Sequence, residues 1–210
     1  MKKLALSGIN TIIFDLGMVI IDLDKQATPR AFEKLCGPNY TNIMEKLNGE
    51  EFFEAYETGR ISTDNFIERL QSEIGDGVKA DQIKSAWNAM LMDIPEERFK
   101  ILLEAKGKYR TYCLSNTNQL HIDFIFDKLK QERKLENLDP YFHKVYLSHE
   151  MKQRKPDPEI FETVVKEQGL QVSETLFIDD TAEHLAGASS IGLKTFHLNE
   201  GLTLEGIWSN

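Results

Sequence analysis

Cysteine is scarce in this chain: among 210 residues only Cys36 and Cys113 carry thiols. Two thiols cannot form the framework of bridges that staples small secreted domains, and Cys113 lies in an apolar run where a buried free thiol is common. A reducing, cytoplasmic setting is expected. Long hydrophobic runs are missing too. No stretch approaches the ~20 apolar residues of a membrane span. The apolar segment after Met1-Lys2-Lys3 is broken by Asn10 and Asp15 and ends in no small-residue cleavage site, which argues against a signal peptide. Positive charge is in deficit, with 25 Lys and Arg against 34 Asp and Glu and a net charge of -9. Such a body repels a phosphate backbone, so neither nucleic acid nor a membrane is expected as partner. There is no glycine-rich nucleotide loop. The five histidines lack zinc spacing, since His149-Glu150 has no second histidine four positions after the first. Repeats and low-complexity tracts are also absent.

What is present describes an α/β protein. At ~150 residues per domain the length allows one domain and an insert. Thr11–Phe14, Tyr109–Leu114, Lys144–Leu147, Thr175–Ile178 and Leu193–Leu198 are β-branched and aromatic runs, several almost continuously apolar. That pattern marks strands covered on both faces of a parallel sheet. Helical spacing separates them: Phe99, Leu102 and Leu103 in a segment ending near Gly107, then Pro158 to Gly169, then Ala182 to Gly192. The alternation predicts a doubly wound, Rossmann-like parallel sheet with right-handed crossovers. Between the first two strands lie some 70 residues of helical pattern and no strand, too many for one crossover. We read residues 23–95 as an inserted helical bundle of about four helices, and residues 1–22 and 96–210 as the α/β core. Ser62-Thr63-Asp64 marks a helix start within the insert. Lys128 to Lys134 alternates in sign and reads as a solvated helix face.

In such sheets, ligands bind beyond the carboxyl ends of the strands. Those ends carry Asp15-Leu16-Gly17, Ser115-Asn116-Thr117-Asn118, Arg154-Lys155-Pro156-Asp157-Pro158 and Asp179-Asp180. Each alone is turn or cap composition; together they bring carboxylates, a hydroxyl and a lysine to one edge. The set suits phosphoryl chemistry. An ionised Asp15 can attack phosphorus without a separate base. A divalent cation held by Asp15 and Asp180 would let anion meet anion, and an oxygen-only site suits Mg²⁺. Lys155 adds positive charge, and Ser115 with neighbouring amides donates to phosphate oxygens.

The pattern resembles the haloacid dehalogenase (HAD) superfamily. Phe14-Asp15-Leu16-Gly17-Met18-Val19, Leu114-Ser115-Asn116-Thr117-Asn118, Arg154 to Phe161, and Phe177-Ile178-Asp179-Asp180 with Gly187-Ala188 match its four motifs in order. The insert falls where the family carries its helical cap. The resemblance implies a Mg²⁺-dependent phosphomonoester hydrolase acting on a small phosphorylated metabolite. Asp15 would be the nucleophile and form an aspartyl-phosphate. Asp15, the Gly17 carbonyl and Asp180 would hold the metal, Asp179 would support it, and Ser115, Asn116 and Lys155 would bind phosphate. The form with Asp-Leu-Gly is similar to a bacterial branch that includes an α-D-glucose-1-phosphate phosphatase, which points to sugar phosphates.

One position departs from that pattern. Family phosphatases carry a general-acid aspartate two residues after the nucleophile; here it is Gly17. A proton donor is typically worth 10²–10⁴-fold in rate. Asp22 is an alternative donor, or else a hinge carboxylate. Gly17 itself has a second reading, as a residue placed for positive φ or close backbone approach. His184, four residues after Asp180, falls on the site side of its helix. Arg60, Tyr56 and Trp87 are candidate substrate contacts from the insert, each with a plainer reading as surface or core. Two other functions stay open: a non-catalytic module binding a phosphometabolite or protein, and a metal-free 2-haloacid dehalogenase.

Overall fold

The computed structural model describes residues 3–75, 77–199 and 201–208. Five strands form one sheet: β1 (Thr11–Phe14), β2 (Arg110–Ser115), β3 (Lys144–Leu147), β4 (Thr175–Asp179) and β5 (Lys194–His197). Their order is β3-β2-β1-β4-β5 and every pairing is parallel. β1 is therefore central, and its four residues are all buried.

Side chains of a strand alternate between faces, and here each face has its own core. Ile12 and Phe14 of β1, with Leu176 and Ile178 of β4, pack with Phe99 and Leu102 of α6 (Glu96–Lys108) and with Ile125 and Leu129 of α7 (Gln119–Arg133). Ile13 and Phe177 point the other way, to Ile160, Phe161 and Val164 of α9 (Pro158–Gln168) and Leu185 of α10 (Ala182–Ser190). Helices on both faces explain why the strands read as unbroken apolar runs. The remaining core helices are short, α8 (Ser148–Met151) after β3 and α11 (Leu204–Ile207).

The insert holds five α-helices rather than about four: α1 (Ala27–Cys36), α2 (Tyr40–Gly49), α3 (Phe52–Glu57), α4 (Thr63–Ile74) and α5 (Ala80–Asn88). The extra one arises because Glu51 adopts a left-handed φ of 54° and separates the six-residue α3 from α2. Ser62 caps α4, its side chain accepting from the Asn65 amide at 3.2 Å. Gly107 does not end α6; the helix runs through it to Lys108. The insert has its own core, with Phe66 stacked on Tyr56 at 3.9 Å and on Phe52 at 5.0 Å. Leu120 at the start of α7 joins that core. The two connecting segments run side by side: Leu23 bridges Leu91, and Met92 N–H donates to the Asp22 carbonyl at 3.0 Å. Among the described residues, no helix is long and apolar enough to cross a membrane.

Candidate active site

Parallel register brings the four strand-end segments to one edge. Asp15 directly follows β1, and its N–H donates to the Ile178 carbonyl at 2.9 Å, which fixes it to β4. Lys155, fully buried, donates from Nζ to Asp15 Oδ1 and to Asp179 Oδ2, both at 2.7 Å. A buried lysine is tolerable only when paired, and here two carboxylates hold it. Dehydration opposes its charge, yet Asp15 and Asp179 outweigh that and raise its pKa.

The carboxylates differ in state. Burial pushes Asp15 up to about 6, against the pull of Lys155 and reinforced by the charge of Asp179. Burial also opposes ionisation of Asp179, but the His184 hydrogen bond and Lys155 prevail, and its pKa falls below the usual value. Asp179 accepts further from Thr181 N–H at 2.8 Å, with His184 Nδ1 at 3.0 Å. His184 thus sits at the site through Asp179. Asp180 takes Thr181 Oγ1 at 3.2 Å and Lys25 Nζ at 2.9 Å.

One oxygen from each of Asp15, Asp179 and Asp180 lies within 4.8 Å of the others. Three carboxylates against two ammonium groups, with oxygen donors only, fit a hard divalent cation such as Mg²⁺.

The Asn116 side chain faces the loop that carries Lys155. Its amide is spent on the Lys155 main chain, donating to the carbonyl at 2.8 Å and accepting from the N–H at 2.9 Å. The side chain therefore ties the lysine loop to the end of β2. Ser115 is buried at the end of β2 and lines a cavity together with Leu16 and Gly17, the two residues after Asp15.

Gly17 is not there for positive φ; the neighbouring Met18, at φ 59°, takes the left-handed position. A Cβ at Gly17 would meet the Leu23 side chain, with Cδ1 at 2.9 Å, the far end of a flexible side chain rather than backbone. Asp22, on the segment entering the insert, is paired with Arg98 Nη1 at 2.8 Å. Of the insert's candidates, Trp87 lines the cavity and donates from Nε1 to Asn118 Oδ1 at 3.1 Å. Tyr56 is core, its hydroxyl accepting from Leu120 N–H at 3.2 Å. Arg60 pairs with Glu54 and lines a separate surface recess.

The cavity itself has a volume of about 190 Å³. Leu16, Ile21, Leu23, Met90 and Leu91 make its apolar wall, with Gly17, Ser115 and Asn116 at the core side. Glu57, at the end of α3, also lines it. Sequence reasoning passed over Glu57 in favour of Arg60, three residues on; the available signal was an acid just before the Thr58-Gly59 turn.

A strand-edge carboxylate cluster with a buried lysine, roofed by a helical insert, defines a hydrolase of the HAD type. The chain belongs to that family: the haloacid dehalogenase-like hydrolase model matches residues 9–192. A D-ribitol-5-phosphate phosphatase of Bacteroides thetaiotaomicron is 30% identical over 194 residues, covering 92% of this chain and 93% of that protein. A HAD-family enzyme of the same organism, solved with magnesium and inorganic phosphate, superimposes with a TM-score of 0.81 at 35% identity, over 90% of this chain and 93% of its own. A HAD-like hydrolase of Porphyromonas gingivalis gives 0.82 at 32% identity, over 94% and 93%.

Proposed function

We propose that this HAD-family phosphatase hydrolyses phosphomonoesters of small hydroxylated metabolites, sugar or polyol phosphates, through an aspartyl-phosphate on Asp15. The observation that carries the reading is Lys155 bridging Asp15 and Asp179 at 2.7 Å each, with Asp180 close enough to share a cation. Asp15 Oδ attacks phosphorus and the ester oxygen leaves; water then cleaves the acyl-phosphate and frees Asp15. Mg²⁺ held by Asp15, Asp180 and the Gly17 carbonyl supplies charge neutralisation when bound. Asp179 keeps Lys155 beside the phosphate, and Ser115 donates to a phosphate oxygen. The cavity volume of about 190 Å³ favours a compact organic group, since pockets for larger ligands run ~300–1,000 Å³. The relative named for ribitol phosphate supports the same class.

Residues 23–95 act as the cap over a core of 1–22 and 96–210, excluding water and meeting the organic group through Trp87. The free thiols Cys36 and Cys113 suit a cytoplasmic enzyme. A metal-free dehalogenase would gain nothing from adjacent Asp179 and Asp180. The test is turnover of p-nitrophenyl phosphate and a sugar-phosphate panel with Mg²⁺. Native protein should turn over and, when acid-quenched, carry a hydroxylamine-labile phosphoryl group, and Asp15→Asn should do neither. A native protein that binds phosphate but never turns over would establish the binding module instead.

A further inference from the structure

Expelling an alkoxide from phosphorus requires a proton, and Gly17 has none to give. Among the described residues lining the cavity with Gly17 and Ser115, Glu57 is the one carboxyl. The other titratable group there, His121, is occupied at both ring nitrogens by Trp87 and Asn118. Asp22 is held by Arg98 and does not line the cavity.

Glu57 is also fixed in place. Its carbonyl accepts from Ser148 Oγ at 2.6 Å, and that hydroxyl accepts from Thr117 N–H at 2.9 Å, so the end of α3 is tied to the segments after β2 and β3. Two residues on, Gly59 at φ 63° lies against the His149 carbonyl so closely that any Cβ would collide with it. The Glu57 carboxylate reaches to 3.4 Å from Arg154 Nη2, the residue preceding Lys155.

We propose that Glu57 is the general acid of this enzyme, delivering from the helical insert the proton that the Asp15 loop lacks. The inference rests on the phosphatase reading. As Asp15 Oδ bonds to phosphorus and the ester P–O bond breaks, the Glu57 proton passes to the departing oxygen and the alcohol leaves neutral. The resulting carboxylate then takes a proton from the water whose oxygen attacks the aspartyl-phosphate. That cleavage regenerates Asp15, protonated Glu57 and inorganic phosphate. Burial supports the role by raising the Glu57 pKa, reinforced by Glu54 and opposed by Arg154 and His184.

The test compares native protein with Glu57→Gln across phosphate esters of rising leaving-group pKa, from p-nitrophenyl to simple alkyl. A general acid flattens the dependence of kcat/KM on leaving group. The variant should lose about 10²–10³-fold on alkyl esters and at least about tenfold less on p-nitrophenyl phosphate, giving a steeper dependence. Glu57→Asp, which keeps the acid on a shorter arm, should retain the shallow dependence at reduced rate. An equal loss on every ester, or no loss, would overturn the role. If Glu57→Gln does not fold, a steep dependence in Glu57→Asp overturns it and a shallow one supports it. Native protein inert on all esters would instead refute the phosphatase reading.

Discussion

Lys25 Nζ lies 2.9 Å from Asp180 Oδ2, so a cation from the segment entering the insert sits on a carboxylate of the proposed metal site. Magnesium and Lys25 would therefore compete for the same oxygen. Lys25 is largely exposed, and exposed pairs are worth ~0.2–1 kcal/mol. Lys25→Met should tighten Mg²⁺ binding about two- to fivefold by calorimetry, measured without substrate. Weaker binding would show that the lysine helps to assemble the site.

Lys155 neutralises two buried carboxylates, and its removal leaves both uncompensated. Lys155→Met should abolish turnover and cost about 3–5 kcal/mol by urea unfolding. Mg²⁺ should restore part of that stability, since it replaces the missing positive charge.

Gly187 in α10 packs against the lysine loop without room for a side chain. A Cβ there would collide with the Pro156 carbonyl oxygen and stand 3.2 Å from Phe161 Cε2. Gly187→Ala should destabilise by about 1–3 kcal/mol and shift the loop that carries Lys155. The measurements are the urea midpoint and kcat, both expected to fall.

His121 gives the fold an acid sensitivity. Burial pushes its pKa down to about 4, against the Trp87 carbonyl, which stands 3.2 Å from Nε2. A carbonyl only accepts, so Nε2 carries the proton and Nδ1 accepts from the Asn118 amide. Between about pH 6.5 and about 4 the unfolded chain binds the extra proton and the folded one does not. The contribution is complete above that window and is lost as pH falls through it, up to about 3 kcal/mol. His121→Gln should show a shallower fall in urea midpoint across the same range.

All five strands were legible because a sheet covered on both faces draws β-branched and apolar residues into successive positions, most fully in the central Thr11–Phe14. Asp15, Lys155 and the Asp179-Asp180 pair were legible for a related reason: each lies at or beyond the carboxyl end of a strand, the edge where the parallel sheet gathers its loops. The contact made by the Asn116 side chain and the place of Glu57 were not. The Asn116 amide meets a loop 39 residues away, a pairing set by how two turns lie against each other. Glu57 depends on the bounds of a six-residue helix, which starts after a left-handed turn at Glu51, a conformation that a non-glycine residue does not announce. The same turn split the insert into five helices. Gly17 carried a signal open to two readings, and the backbone excludes the positive-φ one by giving that conformation to Met18.

The paired strip formed by Leu23 and Leu91 has a consequence for how such a chain diversifies. Departure and return occur side by side, so the chain crosses between sheet and insert at one narrow doorway, and Tyr56, Glu57 and Trp87 meet the core beyond it through Leu120, Ser148 and Asn118. Changes of length far from those contacts leave the registration of β1 against β2 to the doorway itself. A transplant across this junction would exchange the wall that Glu57 and Trp87 give the cavity, the proposed proton donor included, and leave Asp15, Lys155 and Asp179 in the recipient scaffold.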